Sequence, residues 1–337
     1  MGAMAIKRGV SLKKYNTFKL GGTASFFVSV KSLEELVESL KFAKQKKLKT
    51  FILGGGSNVL IEDKNFNGLV IRMEITGVSY SGSLVKACAG ENWDKFVLKT
   101  LKQKLYGLEN LSGIPGSVGA TPIQNVGAYG TDVSKFIKSV KVLDKKTLKT
   151  RVLSKKDCRF LYRDSFFKSN TGQRLVILEV EFSLKKNFKP NISYKDLASY
   201  FVKRAKPGAP EVRAAVLSIR AKKFPNLRKY GTAGSFFKNP IISVSHFRTL
   251  KEKYSDIPGF KISTNKVKVP LAWILDKVCK LKGYKTKKVG LYKKQPLVLV
   301  NFGNAKHKDV LKLKQKIEKL VYKKTKIKIY PEVTFVK

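Results

Sequence analysis

The apolar positions of this chain change period repeatedly, from strand-like runs to one-sided helical stripes. Ala24 to Val30 and Thr50 to Leu53 are strand-like. Between them, from Leu33 to Leu40, apolar residues recur at helical spacing after a capping box that begins at Ser32. This opening segment therefore predicts a β-α-β unit.

The middle of the chain continues with both kinds of element. Two further strands, Gly68 to Met73 and Leu84 to Ala89, precede a helix that carries Trp93 to Leu101 on one apolar face. After them we predict a hairpin with its turn at Lys145-Lys146 and a strand over Arg174 to Leu184.

The last third of the chain is also mixed. We predict helices over 212–219, 271–278 and 310–321, and strands over 296–302, 326–330 and 333–336. Pro207-Gly208-Ala209-Pro210 is the most linker-like tetrapeptide and is expected to open the last domain. A chain of 337 residues is too long for one ordinary core, so we expect two or three domains.

Residues 107–130 differ in composition from the rest of the chain. They include six glycines and two prolines, which forbid a regular helix or strand, yet the stretch is apolar and almost uncharged. An apolar loop must satisfy its own amides, and closely spaced Gly and Ser amides suit phosphate oxygens and a flat heterocycle. The alternative interpretation is a buried Ω-loop without a ligand.

A second glycine loop, Gly54-Gly55-Gly56-Ser57, follows the strand that ends at Leu53. Backbone amides at the end of a strand can bind a pyrophosphate. The dinucleotide fingerprint G-x-G-x-x-G is missing, so a nucleotide cofactor would be held by an architecture other than the doubly wound fold.

The formal net charge of +47, from 70 Lys and Arg against 23 Asp and Glu, raises the question of nucleic-acid binding. The lysines are spread along the whole chain between apolar positions, as on solvated faces, and no DNA- or RNA-binding motif accompanies them. We expect no specific nucleic-acid partner, non-specific adhesion at low salt, and a preference for polyanionic ligands.

The three cysteines, Cys88, Cys158 and Cys279, are far apart, and only two histidines complement them. We interpret them as reduced structural thiols and expect no metal site. No apolar run of about 18 residues occurs, and the N-terminus has no apolar signal core, so we expect a cytoplasmic protein without membrane insertion. Whether Met1-Gly2-Ala3-Met4 is native or a cloning remnant stays open.

Further motifs occur in a fixed order around the two glycine loops. They are Asn16-Thr17-Phe18 with Gly21-Gly22, Tyr162-Arg163-Asp164-Ser165, Gly234-Ser235-Phe236-Phe237-Lys238-Asn239-Pro240 and Pro331-Glu332-Val333. With them the chain resembles, essentially end to end, the UDP-N-acetylenolpyruvoylglucosamine reductase (MurB) family of peptidoglycan synthesis. That family lies within the vanillyl-alcohol-oxidase-type, or PCMH-type, flavoproteins.

The resemblance implies an α+β fold: a two-subdomain PCMH-type FAD-binding module and a C-terminal α+β substrate-binding domain. We expect the first subdomain over 1–73, joined by C-terminal strands over 325–337, the second over 74–206, and the substrate-binding domain over 207–324. FAD would be bound non-covalently by residues of both loops and one strand: Gly54, Gly55, Gly56, Ser57, Asn58, Leu60, Ser112, Ile114, Pro115, Gly116, Ser117, Gly119, Ala120, Thr121, Gln124, Asn125, Gly127, Ala128, Tyr129 and Ile177.

The implied activity is NADPH-dependent reduction of UDP-N-acetylglucosamine enolpyruvate to UDP-N-acetylmuramate. This chemistry requires a hydride at the terminal vinyl carbon, which bound FAD can supply, and a proton at the ether-bearing carbon. By residue-by-residue match, Arg163 is the cation and Glu332 the acid that stabilise charge on the substrate carboxylate. By the same match, Ser235 delivers the proton.

The resemblance assigns the UDP-sugar to Tyr194, Lys223, Asn239 and Gln295. Tyr194 lies in a segment similar to the substrate loop of the longer, type I branch of the family, and Lys222 could take the role of Lys223. A monomer is expected. Two alternatives differ in class: a FAD-dependent oxidase sharing only the cofactor-binding module, and a nucleic-acid-binding protein on an inactive flavin scaffold.

Overall fold

The structure is a computed structural model that describes residues 5–202 and 206–337. In chain order, the strands of the described residues are β1 (Lys7–Ser11), β2 (Thr23–Val30), β3 (Lys49–Leu53), β4 (Val59–Ile61), β5 (Phe66–Met73), β6 (Val78–Ser81), β7 (Leu84–Cys88), β8 (Gly127–Ala128), β9 (Thr131–Asp132), β10 (Ile137–Asp144), β11 (Thr150–Ser154), β12 (Leu175–Ser183), β13 (Ile241–Ser243), β14 (Phe260–Ser263), β15 (Lys266–Lys268), β16 (Val289–Tyr292), β17 (Gln295–Asn301) and β18 (Thr334–Val336).

Five of the seven helices of the described residues lie where the apolar stripes predict them, whereas the helices over 195–200 and 244–253 were not predicted. They are α1 (Leu33–Gln45), α2 (Trp93–Lys102), α3 (Lys195–Tyr200), α4 (Ala209–Lys223), α5 (Val244–Lys253), α6 (Leu271–Trp273, continued by a π-helical turn over Ile274–Val278) and α7 (His307–Thr325). Within the described ranges, no helix combines the length and the apolar character needed to cross a membrane.

Side-chain caps explain where two of these helices begin. The Ser32 hydroxyl accepts a hydrogen bond from the Glu35 amide at 3.2 Å, as the capping box predicts for α1. Asn92 does the same for α2 by accepting from the Lys95 amide at 3.0 Å. Each cap satisfies an amide that would otherwise lack a partner in the first turn.

The chain divides into two compact units. The first contains residues up to Val10, Ala24–Gly56 and Phe66–Arg220, and the second contains Ser11–Thr23, Ser57–Asn65 and Ala221–Lys337. The polypeptide therefore passes between the two units several times.

The first unit contains two principal sheets. One has the strand order β1-β2-β5-β3, in which β2 and β3 both pair in parallel with β5. The other is antiparallel, with the order β11-β10-β12-β7-β6, and includes the predicted hairpin β10–β11. In the core, the rings of Trp93, Phe96 and Phe182 lie 5.1–6.2 Å apart between their centroids.

Most of the helix α4, Ala209 to Arg220, belongs to the first unit, whereas the linker-like tetrapeptide at Pro207 was expected to open the last domain. The apolar stripe of α4 explains why the helix packs in this unit. Val212, Ala215, Val216 and Ile219 are buried in one cluster with Tyr129 of the central loop and with Leu197 and Phe201 around α3. The helix therefore begins two residues after Pro207, and its apolar stripe packs into a cluster of the first unit.

The second unit is built from small sheets around α7. Its sheets are β13-β15-β14, the antiparallel pair β16-β17, and β18 paired in parallel with β4. The predicted strand over 326–330 is wrong. Ile327 and Ile329 are buried and alternate with exposed residues, but the segment leaves α7 through a left-handed Lys326 and forms no strand. The alternation of apolar and polar residues in this segment reflects the burial of every second side chain and not the pairing of a strand.

Asp94 in the first turn of α2 ties three parts of the first unit together. Its carboxylate accepts two hydrogen bonds from Arg213 of α4, at 2.6 and 2.8 Å, and one from the Gly113 amide of the central loop at 2.6 Å. Burial raises the pKa of Asp94. The hydrogen bonds from Arg213 and Gly113 outweigh burial and hold this pKa below its ordinary value.

We predict that Asp94→Asn lowers the free energy of unfolding by about 1–3 kcal/mol, because the largely buried Arg213 loses its charged partner. The carboxylate's pKa is lowered in the folded state, so its contribution is present above about pH 4 and is lost as the pH falls through the folded-state pKa. The two proteins should converge in stability at low pH, which urea denaturation at several pH values measures.

Asp144→Asn is the matched control, because Asp144 also pairs with an arginine, Arg174, and also accepts backbone hydrogen bonds. Arg174 is considerably more exposed than Arg213, so this change should cost less than about 1 kcal/mol. Equal losses in the two variants would contradict a special role for Asp94.

Candidate functional site

The two glycine loops pack directly against each other. A Cβ atom on Gly55 would lie 2.8 Å from the Cα of Gly116, and one on Gly54 would lie 2.6 Å from the Ser117 hydroxyl. A Cβ on Gly119 would lie 2.5 Å from the Cβ of Ala89, the residue that follows β7. The loops thus approach so closely that side chains at these positions would push them apart.

Several amides in these loops are left for a ligand. Throughout the described ranges, the backbone N–H groups of Gly54, Gly55, Gly56, Gly116 and Ser117 donate no hydrogen bond to the protein. Amides without partners are costly where they are buried, as at Gly56 and Ser117, and neighbouring N–H groups are a preferred environment for phosphate oxygens. The residues present therefore fit the diphosphate of a dinucleotide cofactor.

Other predicted cofactor residues hold the central loop in shape. The hydroxyls of Ser112 and Thr121 donate to backbone carbonyls three residues earlier, at 2.6 and 2.8 Å. Asn125 donates to the Leu161 carbonyl and accepts from the Ser134 amide, both at 3.1 Å. Ile177 is buried in β12 opposite Val142. These side chains fix the backbone that would contact the cofactor.

Arg163, the predicted catalytic cation, lies against the central loop. Its guanidinium donates to the carbonyls of Gly127 and Asn125 and lies 3.7 Å from the Asp132 carboxylate. Its backbone is left-handed, with φ 54°, and Lys168 donates to its carbonyl at 2.9 Å. The side chain is thereby held by backbone that the sequence assigned to cofactor binding.

Tyr194, the predicted substrate residue of the first unit, lies near Arg163. Its ring packs edge to face with the ring of Tyr129, with centroids 5.6 Å apart. Burial and the neighbouring Asp196 raise the pKa of Tyr194, whereas the charge of Arg163 opposes the shift. The structure therefore brings together three residues that the sequence selected separately: Tyr129, Arg163 and Tyr194.

In the second unit, Ser235 and Glu332 are held on neighbouring extended segments. The Phe236 amide donates to Leu297 of β17, and the Glu332 amide donates to the Phe236 carbonyl, both at 2.8 Å. Phe236 and Phe237 are buried and anchor the segment. Asn58, a predicted cofactor residue of this unit, donates to the Glu332 carbonyl at 3.2 Å.

The remaining predicted substrate residues have structural contacts of their own. The Asn239 side chain accepts from the Leu271 amide at 3.0 Å, where α6 begins, and Gln295 accepts from Leu297 at 3.4 Å. Lys223, the last residue of α4, is half-buried, whereas Lys222 is exposed. In the ranges that the structure describes, no His, Cys, Asp and Glu cluster could hold a metal ion.

Two residues outside the sequence-based predictions hold the central loop. Arg220 donates to the Gly113 carbonyl at 3.0 Å and hydrogen-bonds the Tyr129 hydroxyl, and Asn110 is buried at the loop's start. Burial lowers the pKa of Arg220. The sequence contained a signal for both residues. Arg220 directly follows the apolar stripe of α4, and Asn110 lies between Leu108 and Leu111, which are buried.

Family models match both parts of the chain. One is described as a FAD-binding domain and matches residues 24–149, and the other as the C-terminal domain of UDP-N-acetylenolpyruvoylglucosamine reductase and matches residues 226–336. Together with the unpaired amides of the glycine loops, the first match makes the chain a FAD-binding flavoprotein.

Relatives match over nearly the whole chain. A UDP-N-acetylenolpyruvoylglucosamine reductase of Flavobacterium johnsoniae is 38% identical, over 99% of this chain and 100% of its own. One of Neisseria gonorrhoeae is 39% identical, over 97% and 96%. The crystal structure of the MurB protein of Thermus caldophilus, 22% identical, has the same fold, with a TM-score of 0.71 over 99% of this chain and 100% of its own. The chain therefore belongs to the UDP-N-acetylenolpyruvoylglucosamine reductase family.

Proposed function

We propose that this protein reduces UDP-N-acetylglucosamine enolpyruvate to UDP-N-acetylmuramate, in the cytoplasm and as a monomer, with NADPH as the electron donor. The observation that carries the proposal is the pair of facing glycine loops with unpaired amides, in a chain that belongs to the reductase family from end to end. When bound, FAD supplies hydride chemistry, and the protein supplies binding, orientation and the proton.

The proposed cofactor residues act mainly through their backbone. The amides of Gly54 to Gly56, Gly116 and Ser117 would bind the diphosphate, and the side chains of Ser112, Thr121 and Asn125 would keep the loop in shape. A site held by backbone amides is preorganised, because few groups must become ordered when the ligand binds.

Arg163 is proposed to bind the substrate carboxylate. Hydride addition beta to that carboxylate moves negative charge onto its oxygens, and a fixed cation lowers the barrier by several kcal/mol where water is scarce. The contacts of Arg163 with the carbonyls of Asn125 and Gly127 fix the guanidinium in advance. The guanidinium also lies 3.7 Å from the Asp132 carboxylate, which helps to orient it.

Glu332 and Ser235 are proposed to complete the reaction. Glu332, as a protonated acid, would share the charge on the carboxylate, and the Ser235 hydroxyl would give its proton to the ether-bearing carbon. Lys238 or a water molecule would restore that proton. The backbone bonds of Phe236 support these roles, because they fix both residues relative to β17.

Tyr194, Lys223, Asn239 and Gln295 are proposed to bind the UDP part of the substrate. The oxidase alternative has less support, because the C-terminal match over residues 226–336 covers Ser235 and Glu332 and is specific to the reductase. The nucleic-acid alternative rests on charge alone.

The purified protein should be yellow, with flavin absorbance near 450 nm, an expectation from flavin chemistry. NADPH should bleach it without oxygen, and UDP-N-acetylglucosamine enolpyruvate should restore the colour. An anaerobic spectrophotometric titration measures both steps. Rapid reoxidation by oxygen together with no response to the enolpyruvyl substrate would favour the oxidase.

Gly55→Ala should weaken FAD binding at least about tenfold, because the new Cβ meets the backbone of Gly116 and separates the loops. Gly208→Ala is the control, since its Cβ would meet only side-chain atoms at 3.5 Å or more. Flavin content after purification and titration of the apoprotein with FAD give the comparison. Full flavin content in the Gly55 variant would rule out the proposed diphosphate site.

Ser235→Ala should separate proton delivery from binding. The variant should retain FAD and be reduced by NADPH at a near-normal rate, while reoxidation by the enolpyruvyl substrate slows on the order of a thousandfold, within the range of general-acid effects. Tyr194→Phe should mainly raise KM. Stopped-flow measurement of both half-reactions decides the matter, and equal slowing of the two would show that Ser235 is structural.

A further inference from the structure

Asn110 joins two segments of the first unit that lie far apart in sequence. Its side chain is only 1% exposed. The Nδ2 group donates one hydrogen bond to the Tyr129 carbonyl and one to the Asn191 carbonyl, both at 2.8 Å. Tyr129 belongs to the central FAD-binding loop, and Asn191 lies three residues before Tyr194.

The two bonds use the chemistry of a primary amide. An NH₂ group has two donors that point in different directions, so one group can bind two carbonyls at once. Carboxylate, hydroxyl and methyl side chains of similar size lack this capacity. Within the described residues, Oδ1 of Asn110 is buried and accepts no hydrogen bond, so these two donations are the polar contacts made by the side chain.

The same two segments meet through Tyr129 and Tyr194. The rings of Tyr129 and Tyr194 pack edge to face, and Tyr129 is buried with Leu197 and Phe201, which follow Tyr194. The Tyr129 hydroxyl bonds Arg220, which in turn donates to the Gly113 carbonyl at 3.0 Å. The position of Tyr194 therefore depends on how the FAD-binding loop is arranged.

We propose that Asn110 is a positioning residue that couples the FAD-binding loop to the segment carrying Tyr194. By holding both carbonyls it keeps residues 191–201 docked and presents Tyr194 ready for the UDP part of the substrate. The substrate consequence rests on the proposed function, whereas the coupling between the segments does not. Without the two bonds, part of the substrate's binding free energy would be spent on ordering the segment.

The first test compares amide hydrogen exchange in Asn110→Ala and Asn191→Ala. Asn191→Ala is the matched control, because it keeps the backbone carbonyl that Asn110 binds and removes only two long, exposed side-chain bonds, one to the Gly130 carbonyl at 3.4 Å and one from the Ser193 hydroxyl at 3.3 Å. We expect exchange over 191–201 to accelerate at least about tenfold in the Asn110 variant and little in the control. Unchanged exchange in Asn110→Ala would overturn the coupling. Asn110→Ser, which keeps one donor, serves if the alanine variant does not fold.

The second test measures kinetics and flavin content of the same variants. Asn110→Ala should retain FAD and raise KM for UDP-N-acetylglucosamine enolpyruvate about tenfold or more, with a much smaller change in kcat. Combined with Tyr194→Phe, it should add little to the KM of the single variants, because both act through one contact. Loss of FAD, or additive effects, would overturn the positioning role.

The proposed coupling and the proposed function can fail independently of each other. If the unaltered protein does not reduce the enolpyruvyl substrate while exchange over 191–201 still depends on Asn110, the proposed function is wrong and the coupling stands. If reduction is normal and the Asn110 variant shows neither faster exchange nor a raised KM, the coupling is wrong and the proposed function stands.

Discussion

The structure of the first unit depends on one constraint: two glycine loops meet backbone to backbone. At Gly54, Gly55 and Gly119 the space for a Cβ is occupied by the facing loop or by Ala89. This close approach gathers amides that have no partner within the described chain, which suits phosphate oxygens. The same amides cost stability until a ligand binds, so the loops need support from elsewhere.

That support comes from polar groups placed around the central loop. The Trp93 indole donates to the Leu111 carbonyl at 2.8 Å, Asp94 accepts from the Gly113 amide, and Arg220 donates to the Gly113 carbonyl. Three side chains from two helices thus bind the loop on its backbone groups. A loop without regular structure is held in one conformation because its amides and carbonyls bond to rigid elements.

The second unit positions its candidate residues in a similar way. Ser235 and Glu332 lie on short extended segments outside its named strands, and backbone bonds from Phe236 to β17 and from Glu332 to Phe236 hold these segments. The buried rings of Phe236 and Phe237 anchor the segment that carries Ser235. In both units, candidate chemistry is carried by irregular backbone attached to a regular framework, so small shifts of that backbone would move the reactive groups.

The sequence by itself determined five of the seven helices in the described residues, about half of their strands, the two glycine loops and the family. Each follows from a local signal: the helical stripe of α7, the capping box at Ser32, or motifs such as Gly234 to Pro240. The tertiary structure decided where α4 packs, why residues 326–330 are buried without forming a strand, and which polar groups hold the loops. Asn110, Asp94 and Arg220 act through partners up to 119 residues away, and no local pattern encodes such contacts because they form only when distant segments fold together.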